Sequence, residues 1–285
     1  MNILVFGKNG QVASAFAKLA PNYSEYQVTC VGHEECDITD EFQVTETIAK
    51  IQPDLIVNTA AYTAVDMAED DVEAAFLLNE TAVSHIAKAS DVPVVHFSTD
   101  YVFNGEARAP YEVDADVAPL GVYGQSKWAG EEALRAHCDK HIILRTAWVY
   151  SPWGGNFVKT MLRLMTERDQ ISVVNDQVGC PTSAVDLARA VLKIAPKLAE
   201  KSFDGFGTYH LVSETELSWH GFAWEVLRQA FLDCEIAPIP TEAYPTKATR
   251  PAYSVLSVKK FKETFGFGLP DWQSSLSRCL RDLGR

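Results

Sequence analysis

The sequence lacks the features that would let a chain fold or function by a special device. Its six cysteines, at 30, 36, 138, 180, 234 and 279, include no C-x-x-C pair, which excludes the common zinc and thioredoxin-like sites. A chain of this length can bury a core without disulfides, so reduced thiols are expected. Glycine and proline number only 16 and 13, too few for a collagen-like or low-complexity chain. Basic residues are in deficit, 25 against 38 acidic, for a net charge of −13. That excludes the clustered basic face of a nucleic-acid-binding protein, although a helix N-terminus can still hold phosphate inside an acidic protein. No apolar run approaches the roughly 18 residues that span a bilayer. The stretch from Met1 to Gln11 has neither the basic start nor the long apolar run of a signal peptide. A cytoplasmic protein with no membrane or nucleic-acid partner is expected.

What is present is a rhythm. Hydrophobic residues make up 47 % and charged residues 22 % of the chain, an ordinary globular balance. Short apolar runs at 2–6, 27–31, 54–58, 92–98 and 141–146 alternate with helical spacing at 12–19, 42–51, 71–89 and 126–136. Strands alternating with helices predict βαβ units, and the continuously apolar strands predict a parallel sheet buried on both faces. After about residue 150 the rhythm loosens. Helices are predicted at 156–166, 185–195, 222–231 and 257–265, with a strand at 171–174. The fold class is therefore α/β, a doubly wound parallel sheet carrying a smaller α+β part.

Two local patterns carry chemistry. Leu4-Val5-Phe6 runs into Gly7-Lys8-Asn9-Gly10-Gln11-Val12-Ala13, a strand feeding a glycine turn that opens a helix. Glycine lets backbone approach a pyrophosphate, and the helix end supplies N–H donors. The pattern is GxxGxxA rather than GxGxxG, and a bare β–α turn is the alternative; its place directly after the first strand favours a dinucleotide. On that reading residues 1–150, with roughly 171–200, form a dinucleotide-binding domain, and 151–170 with 201–285 a smaller substrate-binding part. The end of the second strand, Val31-Gly32-His33-Glu34-Glu35, is ambiguous. Glu34 or Glu35 suits the ribose of NAD, whereas Lys8 and His33 suit the 2′-phosphate of NADP, with NADPH slightly favoured. Asp37-Ile38 can flank adenine or simply precede a helix capped by Thr39 or Asp40.

The second pattern is Tyr123-xxx-Lys127. Four residues apart on a helix, the two share a face. A neighbouring ammonium is expected to lower the phenol toward neutrality, so that it serves as general acid when a ketone accepts hydride. A surface tyrosine packed on a lysine stem is the alternative. Thr99, in Ser98-Thr99-Asp100-Tyr101, ends the fourth strand, where ligands sit in open α/β sheets, and its hydroxyl can hold a carbonyl oxygen.

Together these residues resemble the extended short-chain dehydrogenase/reductase superfamily, and within it the dTDP-4-dehydrorhamnose reductase family. The resemblance is carried by Gly7-xx-Gly10-Gln11-Val12, Asn58-Thr59-Ala60-Ala61-Tyr62-Thr63-Ala64-Val65-Asp66-xx-Glu69, Ser98-Thr99-Asp100-Tyr101-Val102-Phe103 and Tyr123-xxx-Lys127. It continues through Arg145-Thr146-Ala147-Trp148-Val149-Tyr150, Asn156-Phe157-Val158, Asp176-Gln177-xx-Gly179-xx-Pro181-Thr182 and Arg250-Pro251. It implies Thr99, Tyr123 and Lys127 as catalytic residues. Gly7, Lys8, Gly10, Gln11, Val12, Asp37, Ile38, Ala60, Ala61, Tyr62 and Thr63 would hold NADPH or NADH together with Tyr123 and Lys127. Thr99, Asp100, Tyr101 and Trp148 would face a dTDP-sugar whose C4 ketone is reduced; a core tryptophan is the alternative for Trp148. Arg250, Lys247 and Lys159 are candidate cations for the diphosphate. Some family members bridge a dimer with a divalent metal held by a glutamate on the first helix. That helix here carries only Lys18, so no metal is expected, and a homodimer through paired helices stays open. The competing readings are another nucleotide-sugar reductase, a 4,6-dehydratase or an epimerase, and a non-catalytic NADP-binding subunit like that of methionine adenosyltransferase.

Overall fold

The computed structural model describes residues 1–285. In chain order the elements that build the site are β1 (Asn2–Phe6), α1 (Gln11–Leu19), β2 (Gln27–Val31), α2 (Glu41–Ile51), β3 (Leu55–Asn58), α3 (Val65–Ala68), α4 (Val72–Phe76), α5 (Ala82–Lys88), β4 (Val94–Thr99), α6 (Val122–His137) and β5 (His141–Thr146). The strands pair in parallel in the order β2-β1-β3-β4-β5, and Gly207–His210 adds a sixth strand beside β5. Alternation along each strand divides the core. Ile3, Val5, Leu55, Val57, Val95, Ile142 and Leu144 join α1 and the helix Ala184–Leu198 on one face. Leu4, Phe6, Ile56, Val94 and Ile143 join Val44 of α2, Ile86 of α5 and Leu134 of α6 on the other. A period of two with apolar residues at every position can be satisfied only by a sheet covered on both sides. This is the doubly wound sheet the sequence predicts.

The remaining chain forms a satellite core. Gln170–Val174 pairs in parallel with Glu235–Ile239, under the helices Phe157–Glu167, Trp219–Ala230 and Trp272–Asp282. Here the strand pairing departs from the expected division of the chain. The strand near 171–174, assigned by sequence to the larger domain, pairs within the satellite, while Gly207–His210 from the smaller part completes the main sheet. Short strands carry no label of the sheet they join, because pairing is decided between segments far apart in sequence.

One helix also differs. The continuous pattern at 71–89 is broken into α4, a π-turn at Leu77–Thr81, and α5. The π-turn admits one extra residue into the helical path and turns Asn79 fully inward. Around it the packing is tight: a Cβ added at Gly130 of α6 would collide with the Asn79 carbonyl oxygen. The expected start of α6 at Ser126 is also late, because the helix begins at Val122, where Glu69 Oε1 accepts from the Val122 amide at 2.8 Å.

α6 is fastened to the sheet by a buried ion cluster. Glu131 Oε1 accepts from Arg145 Nε at 2.9 Å and from Ser98 Oγ at 2.5 Å, and Oε2 accepts from Arg145 Nη2 at 2.8 Å and Arg135 Nη2 at 2.7 Å. Glu131 and Arg145 are both buried, and burial opposes ionisation, but the Arg145 guanidinium and its neighbours hold the Glu131 carboxyl below its usual range. Such a pair contributes stability above the unfolded carboxyl's pKa and loses it as pH falls through the lower folded value. Glu131→Gln should therefore lower the unfolding free energy at neutral pH by about 3–5 kcal/mol. Urea titrations should show the gap to the parent closing as the medium is acidified; a gap independent of pH would mean that the charge is not what stabilises.

Candidate functional site

β1 lies between β2 and β3, so the crossovers leave it in opposite directions and open a crevice beyond the strand ends. A cavity of about 740 Å³ fills that crevice. Its floor is the glycine turn. Gly7 has φ +99, and a Cβ there would lie 2.6 Å from Thr59 Oγ1 and 2.8 Å from the Ala60 amide, so only glycine fits. Gly10 caps α1 without any side-chain acceptor, and the first turn of α1 holds no acid. Its leading N–H groups thus stay available to an anion.

Lys8, Gly10, Gln11 and Val12 line this end of the cavity, Asp37 and Ile38 a second wall, and Ala60 to Thr63 a third. Each is held by a local device. Gln11 does not turn its side chain to the crevice. Its Oε1 accepts from Ser151 Oγ at 2.8 Å and Asn156 Nδ2 at 3.0 Å, and its Nε2 donates to the Val149 carbonyl. Gln11 therefore stitches the turn to the chain after β5, and what it offers a phosphate is its backbone N–H. The Asp37 carboxylate accepts from the Thr39 amide and hydroxyl at 3.0 and 2.7 Å, while Asp40 caps α2 by accepting from Phe42 and Gln43. The third wall is fixed by Asn79, whose Oδ1 accepts from the Tyr62 amide at 2.8 Å and whose Nδ2 donates to the Tyr62 carbonyl and Ser126 Oγ.

Beyond the end of β2 the two signs of charge neutralise each other. Lys8 pairs with Glu35, whose other oxygen accepts from the Gly32 amide at 2.9 Å. Lys8, Gly32 and His33 line the cavity; Glu34 and Glu35 do not. The cation therefore faces the space that the acids leave.

Tyr123 and Lys127 line the opposite wall, beside Phe97 and Ser98. Lys127 is buried and donates to the Phe97 carbonyl at 2.7 Å. The expected electrostatics are not what the surroundings produce. Burial pushes the Tyr123 phenol up to about 12, the Thr99 side chain opposing and Asp100 adding to it. Burial brings the Lys127 ammonium down to about 8. Desolvation is the largest cause of both shifts, and neither group is among the causes of the other's.

The predicted sugar-facing group is only partly assembled. Thr99 Oγ1 accepts from the Tyr101 amide and donates to Asp100 Oδ1, both at 3.1 Å. Tyr101 meets Tyr123 edge-on at 5.4 Å. Asp100 is enclosed rather than facing open space: it is buried and its Oδ2 has no partner. Trp148, with φ +47, stacks on Trp219 at 3.5 Å above Gly179, where a Cβ would press on the indole at 2.6 Å. It lies in the seam between sheet and satellite and does not line the cavity. Among the candidate cations, Arg250 makes a two-pronged bond to Asp66 at 2.8 and 2.7 Å, and Lys247 pairs with Asp70. Lys159 has no side-chain partner, its amide being bonded by Asn156. No group of three or more His, Cys, Asp or Glu is placed to hold a metal.

The model of the RmlD substrate binding domain family matches residues 1–285. The chain is 45 % identical to the dTDP-4-dehydrorhamnose reductase of Shigella flexneri, over 99 % of this chain and 98 % of the relative. The chain belongs to the dTDP-4-dehydrorhamnose reductase family. Among solved structures, that of a dTDP-4-dehydrorhamnose reductase from Clostridium acetobutylicum superposes with a TM-score of 0.94 at 36 % identity, covering all of both chains. The Bacillus anthracis enzyme, solved in complex with NADP, gives 0.93 at 34 % identity, covering 99 % of each.

Within this family fold, sequence reasoning passed over Asn58, Asn79, His96, Glu131 and Trp219. Only Asn58 fell inside a recognised pattern; the others sit singly in helices and strands, where a buried polar residue has no periodic signal.

The enclosure of Asp100 has a measurable consequence. Burial raises its carboxyl from 3.8 to about 6, with the Ser254 and Thr99 hydroxyls opposing the rise. The folded protein then holds a proton that the unfolded chain has released, so stability falls as pH rises from about 4 to about 6. Asp100→Asn should remove this dependence and, at mildly alkaline pH, raise the unfolding free energy by on the order of 2–3 kcal/mol. Parallel denaturation curves on the two sides of the window would reveal it; a destabilised Asn variant would contradict it.

Proposed function

We propose that this chain is a dTDP-4-dehydrorhamnose reductase, reducing the C4 ketone of dTDP-4-dehydro-6-deoxy-L-mannose to dTDP-L-rhamnose with NADPH or NADH. The observation that carries the reading is the joining, in a chain matched over its full length, of the glycine turn and the Tyr123–Lys127 pair as walls of one cavity. The cavity fits a dinucleotide: Gly7 leaves space that any Cβ would fill, and α1 presents uncapped N–H groups. Gly7, Gly10 and the amides of Gln11 and Val12 hold the pyrophosphate, Asp37 and Ile38 flank the adenine, and Ala60 to Thr63 line the ribose and nicotinamide side. The bound reduced nicotinamide supplies the hydride.

Tyr123 is the general acid. A phenol kept well above neutrality by burial stays protonated until a much more basic alkoxide begins to form, and gives its proton only then. Thr99 positions the ketone oxygen by turning to it the hydroxyl hydrogen that it otherwise gives to Asp100 Oδ1. Tyr101 and Trp148 shape the sugar side. The sugar part of the substrate lies against the satellite. The protein is cytoplasmic in this reading, and a homodimer is open to it; no helix is long and apolar enough to cross a membrane.

Purified protein should consume NADPH only when a 4-keto dTDP-sugar is added. Tight NADP binding without turnover of any such sugar would overturn the reading. Tyr123→Phe should cut kcat by at least ~100-fold while leaving cofactor binding intact; full activity in that variant would remove Tyr123 from the reaction. At the ribose end, Lys8→Ala should raise KM for NADPH about tenfold, the scale of one charge-assisted hydrogen bond, with a much smaller change for NADH. Equal changes for the two would mean that Lys8 does not read the 2′-phosphate.

A further inference from the structure

We propose that His96, oriented by Asn58, presents its Nε2–H to Lys127 and favours the free amine of that lysine, so that Lys127 gives up and regains a proton during turnover instead of standing as a fixed cation. This rests on the reading of Tyr123 and Lys127 as the reacting pair.

The argument is one of hydrogen-bond direction. The Ala60 amide donates to Asn58 Oδ1 at 3.1 Å, which fixes the orientation of that side chain. Asn58 Nδ2 is thereby turned to His96 Nδ1, at 3.1 Å. An amide nitrogen has only hydrogens to offer, so Nδ1 accepts. A neutral imidazole then carries its one hydrogen on Nε2. That nitrogen lies 3.3 Å from Lys127 Nζ. Lys127 already donates to the Phe97 carbonyl at 2.7 Å. An ammonium has no lone pair, so a charged Lys127 would set N–H against N–H; a free amine accepts the imidazole hydrogen and still donates to Phe97. Asn58, His96 and Lys127 are all buried, and no other side chain in the structure bonds to either end of the contact.

The surrounding charges do not reverse this. On α6, Tyr123 lies one turn before Lys127 and Glu131 one turn after it. Glu131 raises the lysine's proton affinity, but its oxygens are taken by Arg145, Arg135 and Ser98, and burial outweighs it. On the strands flanking β4, the partners of His96 are Asn58 and Ile143, neither of them charged. Burial, reinforced by Lys127, keeps the imidazole well below its usual range and hence neutral.

In the reaction the proton count closes. As the bound reduced nicotinamide would supply hydride to the ketone carbon, the ketone oxygen takes the proton of Tyr123. The phenolate regains a proton at the expense of the Lys127 ammonium. The amine that remains accepts His96 Nε2–H until solvent returns the proton. His96 touches neither substrate nor cofactor in this account and is a positioning residue.

The test is a pH titration of the full-length protein by nuclear magnetic resonance, read beside steady-state rates. In the parent, His96 should show a protonated Nε2 and a bare Nδ1, and the Lys127 side chain should titrate near 8. His96→Leu should move the lysine midpoint up by about one pH unit or more, since the donor that favours the amine is lost. The alkaline limb of kcat for NADPH-dependent reduction should move with it. His96→Gln, which keeps an N–H, should restore most of both shifts. A hydrogen on Nδ1 in the parent, or a lysine midpoint unmoved in the Leu variant, overturns the proposal. So does a lysine shift that the kcat profile fails to follow. Because the imidazole spectrum needs no variant, a misfolded Leu protein leaves the hydrogen-bond direction still tested. Lack of turnover by the parent would defeat the reductase reading, while the spectra would still judge the His96–Lys127 contact.

Discussion

The buried pairing of Glu131 with Arg145 is the constraint on which the rest of the site depends. It joins the middle of α6 to β5 and, through Ser98, to the last turn of β4. Lys127 and Tyr123 stand one and two turns before Glu131 on that helix, so the pair sets their height above the strand ends. A helix laid on a sheet by apolar contacts alone has freedom to slide, whereas a carboxylate with both oxygens committed has one position. Arg145 also lies over the rings of Phe103 and Trp128, which removes it from water and makes the commitment costly to break. At the other end of α6, Glu69 holds the Val122 amide while Asp66, three residues earlier, holds Arg250. The short α3, with Glu69 at its end, thus connects the 247–250 loop to the helix that carries the reacting pair, and the Arg250 guanidinium keeps the Asp66 carboxyl down at about 2.

Around this frame the proton inventory runs opposite to the simplest reading of a tyrosine beside a lysine. Desolvation raises the Tyr123 phenol and the Asp100 carboxyl and lowers the Lys127 ammonium. In every case burial moves the balance toward the form without charge. Such a wall holds the proton of Tyr123 tightly and loosens that of Lys127. It suits a reaction that must deliver a proton at the moment an alkoxide forms, and it gives the neutral partners of Lys127, the Phe97 carbonyl and His96, a share in deciding which form the lysine takes.

The places where sequence patterns failed share a physical cause. The apolar spacing of 71–89 is helical throughout, and nothing in it marks the π-turn, because one added residue in the path changes the direction of only a few side chains. The satellite strands are short enough that composition cannot say which sheet they complete. The tryptophan at 148 reads as a sugar wall, with a core residue as the alternative, and no spacing announces that Trp219, 71 positions later, stacks against it. Gln11 belongs to the phosphate turn by position, yet its side chain works on the chain after β5, because Ser151 and Asn156 happen to converge on its amide oxygen.

What the sequence determined by itself is what local periodicity and local sterics encode: the alternating elements, the two-sided burial of the strands, the glycine turn at the head of α1, and the four-residue spacing of Tyr123 and Lys127. Each of these follows from residues close together in the chain, acting through backbone conformation and side-chain period. What only the tertiary structure decided is the chemistry of those groups. Whether a lysine is a cation or an amine, whether an aspartate faces solvent or is sealed in, and whether a glutamine reads a ligand or a neighbour all turn on solvation and on hydrogen-bond partners that lie thirty to a hundred and fifty residues away. Desolvation and hydrogen-bond direction are properties of the assembled environment, and no spacing along the chain contains them.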